Sequence, residues 1–105
     1  MRFLRSMFNP PYPRSEKQTV DQLIDELLAI GKNDDFLSER PGGHFNGHCR
    51  HIRAREIGKQ LDQLGGFQLM EFVYERVLRK LGNQLADHLD FAWFDVGHWT
   101  DTSAD

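Results

Sequence analysis

Residues 54–81 read AREIGKQLDQLGGFQLMEFVYERVLRKL, and the fold turns on this stretch. Before the double glycine, Ala54, Ile57, Gly58, Leu61 and Leu64 recur at three- and four-residue intervals, the spacing of one helix face. After it, Met70, Val73, Tyr74, Val77, Leu78 and Leu81 repeat the pattern. The first run predicts a helix from about His48 to Leu64, with Asn46 as its N-cap. The second predicts a helix starting near Phe67. A connection as short as Gly65-Gly66 makes them antiparallel neighbours, a central helical hairpin.

Upstream, Val20, Leu23, Ile24, Leu27 and Leu28 form another continuous apolar stripe. Thr19 with Gln22 matches a capping box, Ser15 with Gln18 offers an earlier start, and Gly31 fits the C′ position. Residues 32–48 have no periodicity beyond a short turn expected around Phe36 and Leu37, and Asn46-Gly47 suits a tight turn. Downstream, Gly82-Asn83 weakens or ends the preceding helix, with Asn83 capping a short fourth helix through Leu89. The apolar run Phe91–Phe94, followed by Trp99, is expected to lie across the helices and close the core. No segment carries a strong strand signal. The expected fold is therefore a small all-α domain of three to four helices, with the antiparallel hairpin at its centre and an aromatic C-terminal segment.

Three prolines between Asn9 and Arg14 remove backbone donors and fix φ. They separate an arm, residues 1–14, from a single domain at 15–99, with a polar tail at 100–105. The arm is expected to pack through Phe3, Leu4, Met7 and Phe8. At 105 residues the chain has the size of one domain that buries roughly two thirds of its unfolded surface. A single cysteine excludes an internal disulfide framework. No apolar run approaches the ~20 residues of a membrane span, and the apolar stretches of MRFLRSMF fall short of the ~7–15 in a secretory signal. A cytoplasmic location is the expectation. A net charge of −3 argues against salt-driven nucleic-acid binding by the surface as a whole.

Chemistry-bearing residues collect at 42–55, GGHFNGHCRHIRAR. A metal would draw on His44, His48, Cys49 and His51, since imidazole and thiolate ligate zinc-like ions. Their spacing matches no CxxC or HExxH pattern, and adjacent helical side chains diverge by about 100°. An anion would draw on Gly42 and Gly43 for close backbone approach, a helix N-terminus, and Arg50 and Arg53 for charge-assisted bonds. Cys49 in a first helical turn beside Arg50 favours thiolate, yet no base and orienting group accompany it, so no catalytic residue is assigned. A nucleic acid would draw on Arg50, Arg53, Arg55 and Lys59, a surface diluted by Glu56 and Asp62.

The pair Ala54 and Gly58 is similar to the alanine and glycine of a helix-turn-helix. That fit needs apolar neighbours where Arg53 and Lys59 stand, and it would put Gly65-Gly66 inside the recognition helix. The helix-turn-helix is excluded. Asp34-Asp35 lacks the spacing of a calcium loop, and the acids of the first helix make a solvated face.

The aromatics exceed what one small core needs. Phe72 falls off its helix stripe, and with Trp93, Phe94 and Trp99 it is the expected partner interface. The leading expectation is a non-enzymatic module that binds a protein partner or forms a homo-oligomer. Metal or anion binding through 42–53 is the alternative, and nucleic-acid binding through the basic face of 50–64 the second. No cofactor and no specific small molecule is implied.

Overall fold

The computed structural model describes residues 11–41 and 49–100. A 3₁₀ turn at Arg14–Glu16 leads into helix α1 (Lys17–Asn33); α2 spans Arg50–Leu81 and α3 spans Asn83–Trp93. Among the described residues there is no strand, so the chain is an all-α domain, as the helical periodicities predict. The expected arm residues 1–10, the Asn46-Gly47 turn and the tail after Thr100 lie outside the described residues.

Of the α1 stripe, Val20, Leu23, Ile24 and Leu27 are buried in the core, joined by Ile30, while Leu28 is half-buried at its edge. Each fully buried Leu or Ile side chain contributes about 1.5–3 kcal/mol by leaving water. The helix starts at Lys17, ahead of Thr19, and no side chain caps it. It also runs past Gly31, which is a buried interior residue and not C′. The reason is tertiary. A Cβ on Gly31 would collide with Leu81 Cδ1 and stand 2.9 Å from Phe36 Cζ. The expected turn at Phe36 and Leu37 is present, held by the Leu37 N–H donating to Asp35 Oδ1 at 3.0 Å, and it delivers Phe36 into the core.

The chain returns through an isolated antiparallel bridge between Pro41 and Cys49. Arg50 N–H donates to the Arg40 carbonyl, and His51 N–H to the Ser38 carbonyl, both at 2.9 Å. These bonds take up two of the free donors in the first turn of α2. The N-cap is Cys49, not Asn46: its backbone is extended and its Sγ accepts the Ile52 N–H at 3.4 Å.

Within α2, Gly66 has φ 70° and ψ −161°, a combination open essentially to glycine alone. The helix therefore breaks at the double glycine. The part before the break meets α1 through Arg53 and Glu26, and Gly65 lies beside the Pro11 carbonyl. The part after it meets α1 and its approach through Leu81 near Gly31 and Phe72 near Tyr12.

Gly82, at φ 95°, separates α2 from α3. The last helix does not stop at Leu89 but continues through Trp93, which takes Phe91–Trp93 out of the expected crossing segment. Ala86, Leu89, Asp90 and Trp93 repeat at helical spacing and are buried. Trp93 and Trp99 are accordingly core residues and not an exposed interface, since both are essentially inaccessible. Trp99 packs 5.2 Å from Trp93 between ring centroids and 5.4 Å from both Phe67 and Tyr74. Phe72 is half-buried against Tyr12.

Candidate functional site

The first turns of α2 meet the last turn of α3, and three hydrogen bonds fix the junction. Trp93 Nε1 donates to the Ala54 carbonyl at 2.9 Å inside the core. Arg55 Nη1 donates to the carbonyls of Ala92 and Phe94, both at 2.9 Å. The carbonyls at a helix end lack intrahelical partners and carry partial negative charge, so a guanidinium there both satisfies and neutralises them. With Trp93 turned inward, Phe91 points away from the core, and the chain leaving α3 places Phe94 outside it as well.

Between these elements lies a mainly apolar groove of about 370 Å³ lined by His51, Arg55, Phe91 and Phe94. Phe91 is 66% exposed, Phe94 51% and Ile52 46%, and they are the exposed large hydrophobic residues among those described. All three come from the two elements that wall the groove, or from the exit of α3. Ile52 follows His51 directly on α2. Exposed phenylalanines leave apolar area in water, a cost of about 25 cal/mol per Å² that a partner relieves.

Of the residues singled out from the sequence, some lie outside the described part of the chain and others have partners within it. His44, His48, Gly42 and Gly43 lie outside the described residues. Cys49 caps α2 and His51 stands at the groove edge. Among the described residues no group of three His, Cys, Asp or Glu side chains is placed to hold a metal ion.

The arginines named for an anion are engaged within the chain. Arg53 donates to both carboxylate oxygens of Glu26, at 2.5 and 2.7 Å, and to Glu56 at 3.3 Å. The hydrogen bond to Glu26 raises the already high pKa of this guanidinium, against the opposing effect of burial. Arg50 donates to the Pro41 carbonyl at 2.8 Å and lies 3.4 Å from Asp34. Arg55 spends one nitrogen on the α3 terminus, whereas Lys59, one turn further along, is exposed.

Three features are not evident from sequence spacing. Phe91 joins Phe94 at the groove, and Ile52, the residue after His51, is exposed. For Phe91 the signal was available: extending α3 through Trp93 puts Phe91 opposite the Ala86–Leu89–Trp93 stripe. His88 Nδ1 sits 2.8 and 2.9 Å from the two Asp35 oxygens, tying α3 to the turn after α1. These two residues are 53 apart in the chain, beyond the reach of any local pattern.

No family model, curated protein or solved structure matches this chain.

Proposed function

We propose that this chain is a protein-interaction module that binds through the face formed by the start of α2 and the end of α3. The observation that supports it is the pairing of exposed Phe91 and Phe94 at one junction, lining a groove together with Arg55 and His51. Protein interfaces favour aromatic residues and arginine at such positions and place polar groups around them. A non-enzymatic role fits a groove whose polar lining side chains, among the described residues, are one imidazole and one guanidinium already engaged with carbonyls.

The test is a double substitution, Phe91→Ser with Phe94→Ser, made in a tagged full chain. Both side chains are exposed, so folding stability should stay within about 0.5 kcal/mol. A protein that co-purifies with the wild-type chain, another copy or a different protein, should be lost with the variant. Equal recovery on both would overturn the assignment of this face.

A further inference from the structure

We infer that the surface where α1 and α2 both end is a binding site for a single-chain amphiphile with an anionic head, of the fatty-acid class. The inference is independent of the Phe91–Phe94 face, which lies at the start of α2.

The site follows from how the two helices meet. Leu81 of α2 packs where Gly31 of α1 carries no side chain. Beside this close approach lies a groove of about 420 Å³ whose described lining is Leu28, Ala29, Lys32, Lys80 and Leu81. That volume falls within the range of small-ligand sites. Lys32 directly follows Gly31 and Lys80 directly precedes Leu81, so each helix brings one lysine to the groove. A lysine in such a place lays its stem along apolar surface and keeps its ammonium in water.

The charge of the groove is of one sign. Among the described residues its lining holds two cations and no acid. Both lysines are exposed, and neither belongs to an ion pair among the described residues. Lys17 and Arg53, by contrast, are paired with Asp21 and Glu26. Asp34, the first acid after Lys32, is taken by Ser38 and Arg50. A lysine in the last turn offsets the helix dipole, which accounts for one cation at each helix end. It does not account for the apolar floor left open between them.

An alkyl chain laid along Leu28 and Leu81 leaves water, and an anionic head at the rim gains charge-assisted hydrogen bonds from the two ammoniums. A cationic head would be repelled there. The floor of two leucines and one alanine is far short of the ~800 Å² that each partner contributes to a protein interface, but it suits a single chain.

The test titrates decanoate, below its micelle concentration, into the isotope-labelled full chain and follows the backbone amides by NMR. The groove is open and the probe short, so Kd should be on the order of 1 mM. Saturable shifts should centre on Leu28–Lys32 and Arg79–Leu81. Decyltrimethylammonium, with the same chain and the opposite charge, and acetate, a head without a chain, should leave these amides unmoved at equal concentration. Lys32→Glu with Lys80→Glu should bind decanoate at least ~5-fold more weakly, whereas Lys32→Arg with Lys80→Arg should retain it. Circular dichroism checks that the variants fold, and the three probes on the wild-type chain decide the matter if the glutamate variant does not. Shifts that fail to saturate, that centre on Phe91 and Phe94, or that decyltrimethylammonium reproduces would overturn the site. So would a folded glutamate variant that binds decanoate as the wild type does.

Discussion

The indole of Trp93 occupies the space above Gly58: a Cβ built on that glycine would stand 2.7 Å from Nε1 and 2.8 Å from Cδ1. The contact joins α3 to α2 and directs Trp93 Nε1 to the Ala54 carbonyl, one turn earlier. The orientation of α3, and hence the outward placement of Phe91, depends on a helix that carries no side chain at this point.

Gly58→Ala should therefore destabilise the protein, although alanine favours an isolated helix by up to about 1 kcal/mol. The ring is fully buried and hydrogen-bonded, so it cannot shift without losing packing. Overpacking of this kind costs about 1–3 kcal/mol and outweighs the helical gain. Denaturant unfolding checks the sign, and a stabilised Gly58→Ala variant would mean that Trp93 packs elsewhere.

Gly66→Ala should be destabilising for a different reason. Nothing lies within 4 Å of a Cβ at this position, so no clash is involved. The penalty is the backbone conformation, about 1–3 kcal/mol for a residue with a side chain. Equilibrium unfolding of Gly66→Ala measures it, and an unchanged midpoint would show that α2 does not break there.

Much of this organisation is legible in the one-dimensional pattern, and the reasons it fails elsewhere are physical. The α1 stripe and the break at Gly65-Gly66 follow from local spacing and from backbone freedom. Gly31 does not. It looks like a helix terminator, but it is needed inside the helix because Phe36 and Leu81 press against it, and neither contact leaves a local trace. Cys49 caps α2 through a thiol in a role usually taken by Ser, Thr, Asp or Asn. In the run Phe91–Phe94 composition alone cannot separate inside from outside: the helical register buries Trp93 and exposes Phe91. Nearness in sequence groups Arg50 and Arg53, whereas each pairs with a carboxylate on α1 or just after it.

Arg53 and Glu26 join α2 to α1 by two hydrogen bonds. A double-mutant cycle with Arg53→Ala and Glu26→Ala should give a coupling of about 1 kcal/mol, limited by the partial exposure of both side chains. On the arginine side the sign is set by the raised pKa. A group raised on folding contributes stability below its unfolded pKa and loses it only as pH rises through the folded one. For arginine that window lies at strongly alkaline pH, far above neutrality. Deprotonation of Arg53 should thus remove none of the coupling between pH 7 and 10. A coupling that vanished in that interval would show that the guanidinium does not carry it.

Trp99 Nε1 donates to Asp90 Oδ1 at 2.8 Å in the interior. Trp99→Phe keeps a ring in the cluster but removes this donor from a buried carboxyl group and leaves a gap. The loss should be about 1–3 kcal/mol, visible as a lower midpoint in thermal or denaturant unfolding. An unchanged midpoint would mean that the bond adds nothing to the stability of the C-terminal turn.

Site-specific photo-crosslinking tests the binding face most directly. A photoreactive phenylalanine analogue replaces Phe91 in one full-length chain and Lys80, at the far end of α2, in another. The account predicts a crosslinked protein at position 91, another copy of the chain or a different partner, and none at position 80. Crosslinking of equal yield at both positions, or at 80 alone, would contradict it.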